Sequence, residues 1–120
     1  MAKIAGWERE FQVWQYSVSH SMLLLRSVNV EGFETRIDVL FTAVELMHLQ
    51  PYCARLEISE ATSAERGKIL GDQLAAELPG GVLYLLNGGE GYVLARRCSW
   101  HEDLGDHQAP SKFGPLRGTE

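Results

Sequence analysis

Residues 35–49, from Thr35 through Leu49, make the longest apolar run in the chain, and the rest of the sequence has to cover it. Two periodicities compete there. As a helix, Thr35 and Asp38 fit a capping box, Pro51 supplies a stop, and Ile37, Leu40, Phe41 and Val44 share a stripe. As a strand, the run pairs with Leu23, Leu24 and Leu25 upstream, across a short segment containing Gly32, which is how a β-hairpin looks in sequence. We read it as strand. Its length predicts two shorter strands meeting at a bulge near Phe41 and Thr42.

The flanking segments follow the same logic. Between Phe11 and Met22 the chain alternates, with Trp14, Tyr16, Val18, His20 and Met22 on one face and Gln15, Ser17, Ser19 and Ser21 on the other. Period two predicts a strand with one packed face, bending at Ser19-His20-Ser21. Gln50, Pro51 and Tyr52 read as a turn, because proline cannot donate to a ladder. Arg55 to Glu60 alternates again. Thr62 or Ser63 then caps a helix reaching about Leu78, with an inward stripe of Ile69, Leu70, Leu74 and Leu78 and a stop at Pro79-Gly80-Gly81. Gly67 and Gly71 each cost such a helix about 1 kcal/mol, so its first half is expected to loosen. Residues 82–86 and 92–95 flank Asn87-Gly88-Gly89-Glu90-Gly91, a hairpin whose glycines supply left-handed turn positions. The second strand is expected to run on to Trp100, and residues 101–120 to form an irregular tail. The architecture predicted is α+β: a single domain over 1–120, with a mostly antiparallel twisted sheet of about six strands and one covering helix.

Composition narrows the function. With 120 residues the chain can bury a core without metal or disulfide staples, and its 45% hydrophobic content is that of a globular protein. A net charge of −5, with acids and bases interspersed, argues against a nucleic-acid binder and against an anionic membrane surface. No stretch reaches the roughly 18 apolar residues of a membrane span, and the first ten residues lack the apolar core of a secretory signal. Cys53 and Cys98 read as reduced thiols, with a disulfide between them as the alternative that spacing leaves open, and together these features make the cytoplasm the expected compartment.

Three motifs invite chemistry. Gly88-Gly89-Glu90-Gly91 is not a phosphate cradle, because a strand and not a helix follows it. Ser17, Ser19 and Ser21 neighbour His20, but neighbours along a strand point to opposite faces, so His20 is expected to pack beside Trp14, Tyr16 and Met22. His101, Glu102, Asp103, Asp106 and His107 are all competent ligands for a divalent ion, yet their spacing is not that of a helical His-Glu-x-x-His site. Glu57, Glu60 and Glu65 read as ordinary surface acids. No cofactor is called for.

Tyr16 to Arg26, then Thr35 to Leu49, resemble segments of small uncharacterised bacterial β-rich proteins and of the immunity proteins of toxin systems. From Phe41 to Leu49 the second segment reads Phe-x-x-Val-x-Leu-x-x-Leu, one position off the Phe-x-x-Val-x-x-Leu-x-Leu strand of those immunity proteins. The resemblance implies a β-rich domain that binds a protein partner, and it carries over no catalytic residue. The leading expectation is therefore a non-enzymatic binding protein acting through an aromatic and arginine-bearing face of Tyr16, His20, Arg26, Arg36, Arg96 and Trp100, with a homodimer as one form of partnership. The alternatives are a metal-dependent hydrolase built on the segment from His101 to His107, and a binder of a small apolar ligand between sheet and helix.

Overall fold

The computed structural model describes residues 2–27 and 35–104. Ten strands and one helix follow one another as β1 (Ala2–Trp7), β2 (Phe11–Ser17), β3 (Met22–Ser27), β4 (Arg36–Thr42), β5 (Leu46–His48), β6 (Tyr52–Cys53), β7 (Leu56–Glu60), α1 (Ser63–Glu77), β8 (Val82–Leu86), β9 (Gly91–Ala95) and β10 (Arg97–Asp103). They form two antiparallel five-stranded sheets, ordered β1-β7-β8-β9-β5 and β10-β4-β3-β2-β6. The α+β class and the single compact domain expected from sequence are both present.

The central run is extended. β4 pairs with β3, Leu23 opposite Phe41 and Leu25 opposite Val39. The expected break is sharper than a bulge. Ala43 takes a left-handed backbone (φ 53°), and β5 leaves for the other sheet. At the same level the chain turns at Arg96, so β9 and β10 part in the same way. Arg96 N–H donates to Thr42 C=O at 3.0 Å and Glu45 N–H to Leu94 C=O at 2.8 Å, which carries the ladder through this corner. A second corner lies where β1–β2 pairs with β6–β7: Trp7 stands opposite Leu56 and Phe11 opposite Cys53. Followed through both corners, the ten strands are six long ones closed into a circuit, with strands switching sheet at bends as orthogonally packed sheets require.

Two layers of side chains account for the apolar runs. Leu23, Leu25, Val39, Phe41, Tyr84 and Val93 are buried between the sheets. Leu83, Leu85 and Leu94 point the other way and pack under Leu70 of α1. β8 is thus buried on both faces, and the continuous run over residues 82–86 is its sequence signature. No helix among the described residues is long and apolar enough to cross a membrane.

Several local expectations are corrected. Residues 11–22 are not one bent strand but a hairpin with its turn at residues 18–21, Ser17 pairing with Met22. A register shift between Val13 and Gln15 breaks the alternation. Trp14 therefore joins Leu24 and Leu40 on the outer face, while Tyr16 packs against the inner core. The helix is firmest where loosening was expected. Thr62 Oγ1 accepts from Glu65 N–H at 3.1 Å, and a Glu65 carboxylate oxygen accepts from Thr62 N–H at 2.9 Å, a complete capping box. The break falls at Gly71 (φ 76°, ψ 166°), which turns Leu74 outward and brings Ala75 onto the sheet instead. Arg66 then binds the carbonyls of Leu78, Gly80 and Gly81 at 2.7, 2.9 and 3.2 Å, satisfying acceptors that the helix end leaves open. Finally, His101, Glu102 and Asp103 are not irregular: they continue β10 along β4. Residues 105–120, the rest of the expected tail, lie outside the described residues.

Candidate functional site

The sheets do not close completely on each other. Between the start of β2, the β5–β6 connection and the β8–β9 turn lies a cavity of about 320 Å3. Its floor is apolar, made by Phe11, Val13, Leu25, Leu56 and Leu86, and its mouth carries Gln12, Gln50, Tyr52, Asn87 and Glu90. Cys53 lies among them.

Local sequence explains the opening. Pro51 cannot extend the ladder as a donor, but its carbonyl accepts from Val13 N–H at 2.8 Å, which holds the connection across β2. Opposite, Asn87 adopts a left-handed backbone (φ 52°) at the start of a 3-10 turn over Asn87–Gly89. Its side-chain oxygen accepts from Glu57 N–H at 2.8 Å and its amide donates to Arg55 C=O at 2.9 Å, tying that turn to the corner between β6 and β7. One wall is thus fixed by a backbone hydrogen bond and the other by the Asn87 side chain bonded to the backbone. Burial pushes the Cys53 thiol up and the nearby Glu90 carboxylate adds to the rise, against hydrogen bonds to the Phe11 backbone and the Asn87 side chain that pull it down. Beyond Phe11 the space between the sheets is filled: Trp7 contacts Phe11 at 5.4 Å between ring centroids and meets Trp100 edge-on at 5.9 Å.

The residues singled out from sequence do not form one face. Arg26 is buried on the outer side of the second sheet, where its guanidinium donates to both Asp38 oxygens at 2.7 and 3.1 Å and lies 4.9 Å from the Trp14 ring. Arg36, also buried, donates to both Asp103 oxygens at 3.1 and 2.9 Å. Tyr16 is half-buried against the inner core. Arg96 is exposed at the corner between β9 and β10, and Trp100 is 43% exposed. His20 is not packed with Trp14, Tyr16 and Met22 as expected; it is exposed at the tip of the β2–β3 hairpin. There Ser19 Oγ and His20 Nδ1 lie 2.9 Å apart, a contact that a turn permits and a strand does not. Among the described residues no carboxylate orients the ring's other nitrogen, so the pair lacks the third member of a hydrolytic triad.

Nor do the candidate metal ligands among the described residues converge. His101 and Asp103 share one face of β10 and Glu102 takes the other. Asp103 is engaged by Arg36 and Glu102 by the Thr35 hydroxyl, while His101 Nε2 is 3.8 Å from Asp103. Glu102 also faces Arg9, which binds Ser27 and Thr35; burial lowers the Arg9 guanidinium while Glu102 opposes that shift. Asp106 and His107 lie outside the described residues, and among the described residues no three His, Cys, Asp or Glu side chains are grouped to hold a metal.

The cavity was not legible in the sequence. One alternative was a ligand site between sheet and helix, but Leu70, Leu83, Leu85 and Leu94 fill that space. The available signal was Leu49 and Tyr52, two large side chains on either side of a proline turn. Compared with protein-family models, curated proteins and solved structures, the chain matches none.

Proposed function

We propose that this protein is a non-enzymatic binding module and that the cavity between its two sheets receives a small, largely apolar ligand. The observation that carries the reading is the cavity itself. Its volume of about 320 Å3 reaches the range of ligand sites, and an apolar floor below a few polar groups at the mouth is the usual lining of such sites. Both walls belong to paired strands and turns held by hydrogen bonds to the backbone, so the cavity is preformed. The proposed setting is the cytoplasm, where two free thiols suit a reducing milieu.

Titration with a polarity-sensitive apolar dye tests the reading. One dye should bind per chain, and either Gln50→Trp at the mouth or alkylation of Cys53 should weaken it severalfold. Binding indifferent to both would place the dye elsewhere and remove the proposal.

One observation favours a second reading, occlusion of a partner protein or of a second copy of this chain. Trp100 remains 43% exposed beside Trp7, and tryptophan is a frequent anchor of protein interfaces. Light scattering and a native pull-down should then show a dimer or a retained protein for the wild type and its loss with Trp100→Ala. A monomer, or retention unchanged by that substitution, would count against it.

A further inference from the structure

The polar groups around the cavity are unequal in charge. Among the described residues that line it there is one carboxylate, Glu90, and no lysine, arginine or histidine. Glu90 is exposed on the β8–β9 turn, and the ion pairs of the described residues do not include it. The other polar side chains at the mouth are neutral, and Asn87 already spends both ends of its amide on the backbone. Tyr52, half exposed at the rim, offers a ring face of the kind that attracts cations. The chain as a whole carries −5, the same sign as Glu90.

We propose that the ligand of this cavity is an organic cation, an ammonium group on a compact apolar body, with the apolar part on Phe11, Val13, Leu25 and Leu86 and the ammonium at the mouth beside Glu90. An anionic ligand of the same shape meets an uncompensated carboxylate and no donor of opposite charge. The nearness of Glu90 to the cavity interior is also felt at Cys53, whose thiol its charge helps to raise. The inference rests on the cavity reading above and adds the charge of the occupant.

Phenethylamine, phenethyl alcohol and phenylacetate share one body and differ in charge. Titrated separately into the full chain and followed through the amide resonances of residues 11–13, 50–53 and 87–91, the amine should bind about tenfold tighter than the carboxylate, with the alcohol between them. That preference should shrink at about 0.5 M salt, because Glu90 is exposed. Glu90→Gln should abolish the ranking, so that the amine and the carboxylate bind alike. Equal affinities in the wild type, or a ranking that survives Glu90→Gln, would overturn the charge assignment alone. If none of the three perturbs those resonances, the cavity reading fails and this inference falls with it.

Discussion

Arg26 and Asp38 stand opposite each other on β3 and β4, facing away from the inner core, yet each is at least 97% buried. A bidentate pair taken out of water this far contributes little net stability, but removing one partner strands the other. Asp38→Ala or Arg26→Ala should therefore cost about 3–5 kcal/mol in denaturant unfolding, whereas Arg26→Met with Asp38→Leu together should cost much less. The cysteines differ in the same physical terms. Burial pushes the Cys98 thiol up to about 12, while Cys53, in the cavity, is raised for the same reason but stays within reach of solvent. A maleimide should label Cys53 first, and Cys53→Ser should remove the fast phase. Because the folded value of Cys98 lies above its ordinary 9.0, its contribution to stability is complete below pH 9 and is lost as pH rises towards 12. Cys98→Ala should flatten the alkaline loss of thermal stability; an unchanged pH profile would contradict this.

At the scale of the element, α1 offers a comparison within a single helix. Gly67 has helical geometry and open space where a Cβ would go, while Gly71, equally unobstructed, has φ 76°. Gly67→Ala should stabilise by about 0.5–1 kcal/mol, and Gly71→Ala should destabilise, since only the second forces an L side chain into a left-handed backbone. Thermal unfolding of the two variants checks both signs. Thr62→Ala should cost about 1 kcal/mol through the lost cap. The hydrogen bond from Thr62 N–H holds the Glu65 carboxyl below its ordinary 4.5, so the contribution of the cap is present above that pH and disappears as pH falls through the lower folded value. Amide protection at residues 62–66, taken relative to the intrinsic exchange rate at each pH, should fall on acidification in the wild type and not in Glu65→Gln.

For the whole molecule, closure decides the outcome. β1 pairs with β7 and β10 with β4, each partner dozens of residues away, so neither barrel corner forms from local contacts. Folding should accordingly be slow, in the millisecond-to-second range of β topologies rich in long-range pairing. Removing residues 2–7 would bare the edge of β7 and open the circuit. The truncated chain should lose its near-ultraviolet circular dichroism and scatter light as an aggregate; a monomer with native signal would show that β1 is dispensable.

Periodicity within a segment is a local property, and the sequence by itself determined whatever depends on it. It yielded the strand of residues 55–60, a helix capped at Thr62 or Ser63, and the glycine-bearing hairpin at residues 87–91, while the extended central run followed from the apolar segment before it and not from its own period. Only the tertiary structure decided how these meet. A one-residue shift at Val13–Gln15 sends Trp14 and Tyr16 to opposite faces, a left-handed Ala43 carries the chain from one sheet to the other, and β10 continues through His101, Glu102 and Asp103 because β4 lies beside it. The cavity belongs to the same category. Its walls come from segments as far apart as Phe11 and Glu90, and a space between side chains has no period for a sequence to display.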